Sequence, residues 1–89
     1  MKLEKATDGV HKWVAIFDDG TKTKFGAAGM SDFTLTRDKH RRELYLIRHA
    51  KNENWRDPKS AGALSRWILW NLPTIEESLR DYKRRFPNV

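Results

Sequence analysis

Fourteen residues, S-A-G-A-L-S-R-W-I-L-W-N-L-P from Ser60 to Pro73, constrain this chain more than any other stretch. Set at 100° per residue on a helix, Leu64, Trp67 and Ile68 share one side, while Leu69 and Trp70 point to two others. A helix that is apolar nearly all round has to be buried, and only Ser65 and Arg66 are left to meet water. Ser60 is suited to the N-cap, Asn71 to closing the last turn, and Pro73 forbids continuation, so the residues predict a helix over 60–71. Burying a large side chain contributes roughly 1.5 to 3 kcal/mol, so two indoles and three aliphatic groups on this element supply much of a small core. The rest of the chain is expected to pack around it.

That core is the single core of one domain, because 89 residues hold too little apolar surface for two. Although 34% of the residues are charged, four Trp within a hydrophobic content of 38% exclude a disordered tail. Absence of Cys excludes disulfides, thiol catalysis and thiolate metal sites, and fits a reducing compartment. The start, M-K-L-E-K-A-T-D-G, has no apolar run, and no segment approaches the ~20 apolar residues of a membrane span. A soluble, intracellular protein that is neither secreted nor membrane-bound is expected.

A formal charge of +6 points to a polyanionic partner, and its distribution narrows where that partner binds. The basic excess is 0 over residues 1–36, +4 over 37–59 and +2 over 60–89. A basic surface built from the middle and the end of the chain is therefore expected. The plain alternative is that basic helices are solvated faces and nothing more.

Residues 11–25 read as a β-hairpin. His11 to Phe17 is β-branched and aromatic, with Trp13, Ala15 and Phe17 on one face; Asp18-Asp19-Gly20 turns the chain; Thr21 to Phe25 returns along an edge guarded by Lys22 and Lys24. Residues 1–10 are expected to be a flexible start. Gly26 and Gly29 bracket a loop whose amides are able to approach a phosphate, but without P-loop or dinucleotide spacing it reads as a tight turn. Phe33 and Leu35 follow as a short extended piece or core plugs.

Thr36 is expected to cap a helix over 36–50, with Asp38 near its N-terminus, Leu44 and Ile47 inward, and Leu46 with Ala50 as a weaker second apolar side. On that wheel Arg37, Arg41 and Arg48 fall within about 40° of one another beside Tyr45, a stripe of guanidinium forks matched to phosphate oxygens. Pairing with Asp38, Glu43 or a neighbouring element is the structural alternative. Residues 51–59 form a polar loop in which Trp55 reads as a core plug rather than a base-stacking platform. The last helix, 74–86, has a Thr74/Glu77 capping box and a stripe of Ile75, Leu79, Tyr82 and Phe86. Its Glu76 is placed to pair with Arg80, and Lys83-Arg84-Arg85 suits the C-terminal dipole. The expected fold class is thus α+β, an N-terminal β-hairpin followed by three helices in a single small domain.

The run R-H-A-K-N-E-N-W-R-D-P-K-S-A-G-A-L-S-R-W-I-L-W-N-L-P-T, preceded by F-G-A-A-G-M-S-D-F-T and followed by D-Y-K-R-R-F, resembles a family of small basic proteins encoded by large double-stranded DNA viruses of eukaryotes. The resemblance spans Trp13 to Phe86, with Met30 standing where an aromatic is expected. It implies a viral context, in the virion or the interior of an infected cell, cytoplasm or nucleus. It brings no catalytic residue.

The expectation is a nucleic-acid-binding protein that neutralises phosphates, on double-stranded DNA with little sequence preference, in packaging or organising a genome. Arg37, Arg41, Arg42, Arg48, Lys51, Arg56, Lys59, Arg84 and Arg85 are the candidate contacts. A structural virion or protein-interaction component is the alternative. A metal-dependent nuclease would need Asp18, Asp19 and Asp32 to gather around Mg²⁺ with His49 as base, although turn and cap roles already explain the three acids. His40 and His49 lie 180° apart on a helix and cannot share a metal. No catalytic residue, metal or cofactor is expected.

Overall fold

A computed structural model describes residues 1–89 as a three-stranded antiparallel sheet followed by helices, an α+β fold. Strands β1 (Lys2–Lys5), β2 (His11–Ile16) and β3 (Lys22–Ala27) lie in the order β1-β2-β3. The residues expected to form a flexible start therefore supply a strand, with Leu3 opposite Ala15. This explains why β2 is apolar on both faces: it is the central strand, whereas β3, with Lys22 and Lys24 exposed, is an edge. The period-2 reading holds on the inner face, where Ala15, Phe17 and Phe25 are buried and Trp13 sits opposite Phe25.

Gly20 closes the hairpin at φ +87°, with its amide donating to the Phe17 carbonyl at 2.9 Å. Two further glycines do different things. Gly29, at φ +80°, occupies the third position of a turn closed by Met30 N–H to the Ala27 carbonyl, the type II position that glycine suits. Gly26, at φ +77°, lies inside β3 where a Cβ would come within 2.9 Å of Leu69 Cδ1, so both its backbone and its missing side chain are required.

Phe33 and Leu35 belong to a single helical turn, α1 (Phe33–Thr36), rather than to an extended piece. Asp32 caps it, accepting from the Thr34 amide, and Phe33 is buried while Leu35 is exposed. Arg37 then ends α1 in the left-handed region at φ 55°. Helix α2 (Lys39–Ala50) consequently starts later than expected and is capped by Asp38, not Thr36; the carboxylate accepts from the His40 and Arg41 amides at 3.0 and 3.2 Å.

The central element begins at the expected place, with Ser60 capping α3 (Ala61–Leu64). It then widens into a π-helical turn over Ser65–Leu69, closed by Trp70 N–H to the Ser65 carbonyl. An i→i+5 bond lets residues five apart lie above one another, so Leu69 joins Leu64 on the inner side instead of pointing elsewhere. Leu64, Ile68 and Leu69 are buried against Ala15, Phe17, Phe25 and Tyr82, while Trp67 and Trp70 flank that core half-buried. Arg66, expected in water, lies over Trp67 at 4.2 Å and Trp55 at 5.4 Å and donates to the Trp70 carbonyl. Helix α4 (Ile75–Arg85) carries half of the predicted capping box: Glu77 N–H donates to Thr74 Oγ1, while the Glu77 carboxylate accepts from the Thr74 hydroxyl rather than from its backbone amide. Its stripe of Ile75, Leu79, Tyr82 and Phe86 faces the core as expected. Glu76 and Arg80 form no ion pair. Tyr82 reaches across to donate to the Pro58 carbonyl at 2.7 Å, and Thr23 donates to the Lys59 carbonyl, so the polar loop is pinned to both layers. No helix is long and apolar enough to cross a membrane.

Candidate nucleic-acid interface

Helix α2 turns an unexpected side to the protein. Leu44 and Ile47, expected inward, are exposed, Ile47 by 69%. The inward row is Arg42, Tyr45 and His49, at spacings of three, four and seven that share a helix face. Tyr45 stacks on Trp70 with centroids 4.3 Å apart and 7° between planes. His49 stacks on Tyr45 at 4.0 Å and 20°. Arg42 donates to the Asn71 carbonyl at 2.8 Å and lies 4.6 Å over the Phe33 ring. Three such partners outweigh the burial of two aliphatic groups, and they decide the roll of the helix. Burial, assisted by the Glu53 charge, pushes the Tyr45 phenol up to about 12.

This roll sets Arg41 and Arg48 on the flank of α2 that faces the β3 turn. Between the two lies a cleft of about 850 Å³, lined also by Gly26, Gly29, Met30, Leu44 and His49. Arg41 and Arg48 have no acidic partner, whereas the lysines of the opposite wall are held, Lys12 by Asp32 and Lys24 by Asp8. The His49 Nδ1 hydrogen donates to Glu53 Oε2 at 2.9 Å, because a carboxylate only accepts, and the other Glu53 oxygen accepts from Trp55 Nε1. Trp55 is half-buried and fixed by this carboxylate and by Arg66.

The other predicted contacts divide into two groups. Arg37, Lys51 and Arg56 are exposed without an acidic partner, but Arg37 sits at the end of α1 and so the stripe on α2 comprises two arginines, not three. Arg42, Lys59, Arg84 and Arg85 are engaged within the molecule. Lys59 pairs with Asp19 and lies over Phe17. Arg84 and Arg85 converge on the buried carboxylate of Asp81, which Asn71 also donates to, and Arg85 covers the Trp67 ring at 4.0 Å. Burial raises the Asp81 carboxyl, yet the Arg85 and Asn71 hydrogen bonds and the Arg85 charge outweigh it and hold the group below its usual range. Arg66 carries a buried Nε without a partner, and burial together with the Arg85 and Arg42 charges lowers its proton affinity.

The acids of the nuclease alternative are dispersed in roles of their own. Asp19 binds Lys59 and Thr21, Asp32 binds Lys12 and Thr34, and Asp18 is exposed; no group of three His, Asp or Glu is placed to hold a metal ion. The cleft itself escaped sequence reasoning, since it is made by packing a turn against a helix flank. Its signals were present separately, in the Gly26–Gly29 loop and in the arginines beside Tyr45.

Fold and site together define a small, basic α+β domain with unpaired cations concentrated along one helix and its approaches. Residues 1–49, just over half the chain, match the model of a family of unknown function, DUF5754, and the chain belongs to that family. The matched part includes the sheet, α1 and nearly all of α2, hence Arg41, Arg48 and His49. Neither a curated protein nor a solved structure matches the chain.

Proposed function

We propose that this domain binds nucleic acid, duplex DNA in the first instance, by neutralising phosphates with little sequence preference. The observation that carries the reading is the unpaired state of Arg41 and Arg48 on one flank of α2, beside a cleft whose opposite wall has its lysines tied to acids. Arg37, Lys51 and Arg56 extend the same supply of free charge on either side of that helix in sequence. A viral setting, with a role in organising a DNA genome, rests on the resemblance of the Trp-rich segment.

Phosphate contacts release counterions, so log K falls with log salt by roughly 0.9 per contact, and five engaged cations give a slope near −4.5. The test is fluorescence anisotropy with two duplexes of unrelated sequence at several salt concentrations. Both should bind at low salt with the same steep dependence. No binding at low salt, or an affinity indifferent to salt, sinks the reading.

A second reading, contact with a protein partner such as a virion component, is favoured by Leu35 and Ile47, each 69% exposed. The tryptophans, whose exposure would point the same way, are half-buried. Ile47→Asp should abolish self-association or partner capture while leaving DNA affinity in place if this reading holds.

A further inference from the structure

The stack of rings in the cleft is open at one end. Trp70 and His49 both lie nearly parallel to Tyr45 and about 4 Å from it, so they cover its two opposite faces. His49 in turn has one face on Tyr45 and its Nδ1 edge on Glu53. Its side chain nevertheless remains 39% exposed, and His49 lines the cleft. Arg41 and Arg48 stand at the same cleft without acidic partners, and exposed Met30, Val10 and Leu44 give it apolar walls. A flat ring ending a stack and two free guanidinium forks are two things a nucleotide needs: a surface for the base and donors for the phosphates. About 850 Å³ lies within the usual range of ligand clefts, roughly 300 to 1,000 Å³.

We propose that the cleft accepts one unpaired base of the bound nucleic acid, stacked on His49 as the fourth ring of the series, with Arg41 and Arg48 holding the flanking phosphates. The proposal rests on the nucleic-acid reading and deepens it. A base inside a duplex has both faces covered by its neighbours, so only a single-stranded, frayed or everted nucleotide can enter. Glu53 fixes the His49 ring by holding Nδ1, and Trp55 fixes Glu53, so the platform is held in place before the base arrives. Stacking is tolerant of base identity, which agrees with weak sequence preference.

The experiment compares an oligothymidylate with an abasic phosphodiester strand of the same length and charge, and with a perfect duplex, for the wild type, His49→Ala and His49→Phe. The wild type should bind oligothymidylate more tightly than the abasic strand. His49→Ala should cut that ratio by roughly 5- to 150-fold, the loss of one stacked base. His49→Phe, which keeps a ring on Tyr45, should restore most of it, and melting curves of both variants verify the fold. Equal wild-type affinities for oligothymidylate and the abasic strand overturn the base site but leave phosphate binding standing if the duplex also binds. A ratio unchanged in His49→Ala overturns it as well. If the wild type binds none of the three at low salt, the phosphate reading falls and takes this proposal with it.

Discussion

Helices α2 and α4 are nearly the same length, and each carries four Lys or Arg residues, yet the fold uses them in opposite ways. On α4 the apolar stripe is inside, Tyr82 is fully buried, and the basic C-terminal turn is drawn back onto Asp81 of the same helix. On α2 one residue, Tyr45, is buried; two large aliphatic groups face outward and Arg41 and Arg48 meet no acid. The difference lies in the acids. Asp81 is one turn before Arg84 and Arg85 and turned toward the protein, where lowered exposure to water strengthens its attraction. The acid of α2, Glu43, is exposed and pairs with nothing. Two of the four cations of α4, Arg84 and Arg85, thus become structural charge, whereas on α2 only Arg42 is engaged within the molecule and Arg41 and Arg48 remain available.

The largest effect that separates the two helices is the loss of an aromatic anchor. Tyr82→Ala removes a fully buried ring and its bond to the Pro58 carbonyl and should cost about 3 to 5 kcal/mol, much of a small domain's stability. Tyr45→Ala should cost less, because α2 lies against the rest of the molecule through a few side chains. Urea denaturation of the two variants makes the comparison directly; equal losses would place α2 in the core and end the contrast.

A middle-sized effect is expected at Gly26, where β3 touches Leu69. Gly26→Ala forces a side chain into a left-handed backbone and against a packed methyl group, costing roughly 1 to 3 kcal/mol. Gly29→Ala meets no neighbouring atom and bears the backbone strain alone, so it should melt closer to wild type.

Smaller again is the alkaline response of the two buried phenols. Burial, helped by the Asp57 charge, pushes Tyr82 up to about 12, as burial and Glu53 do for Tyr45, from an ordinary value of 10.0. Between those values the unfolded chain has lost these protons and the folded one retains them, so stability present below pH 10 is lost as pH rises toward 12. Tyr82→Phe should cost about 0.5 to 1.5 kcal/mol at neutral pH, the worth of one hydrogen bond, and should flatten part of the alkaline fall. A fall of the same steepness in Tyr82→Phe would assign it elsewhere.

The contrast between α2 and α4 also explains what was legible in the sequence. The α4 stripe, its Thr74 cap and its end just before Pro87 follow from local rules, because its inner face is apolar and its partners lie within one turn. The sheet's inner face and the burial of Leu64 and Ile68 were readable for the same reason. Helix α2 was not, since a hydrophobicity wheel assigns Leu44 and Ile47 to the core and has no means of scoring a phenol that stacks on an indole 25 residues away. β1 was missed because a short, charged segment reveals itself only through pairing with β2. The π turn, which brings Leu69 inward, likewise departs from the 100° step on which the wheel depends. As for the site, residue types were readable and their pairing was not: nothing in the order of residues says that Asp19 takes Lys59 or that Asp81 takes two arginines.

The finest distinction is between two double variants that each remove two positive charges. Arg84→Gln with Arg85→Gln leaves a buried carboxylate with only Asn71, so it should lose about 1 kcal/mol, a modest figure because both guanidinium groups are partly exposed. Asp81 is held below its usual range in the wild type, so the stability it contributes is present above the ordinary carboxylate pKa and is lost as pH falls through the lowered one. Without Arg84 and Arg85 that acid-dependent loss should shrink and begin at higher pH. Arg41→Gln with Arg48→Gln breaks no ion pair and should melt with the wild type. Its effect belongs to binding, where the slope of log K against log salt should become shallower by roughly 1.8, two contacts at about 0.9 each. Measuring melting temperature, acid midpoint and salt slope on both variants divides the basic residues by use. If the Arg84/Arg85 variant loses the salt slope and the Arg41/Arg48 variant loses the stability, the assignment of structural and available charge is reversed, and the DNA lies along α4.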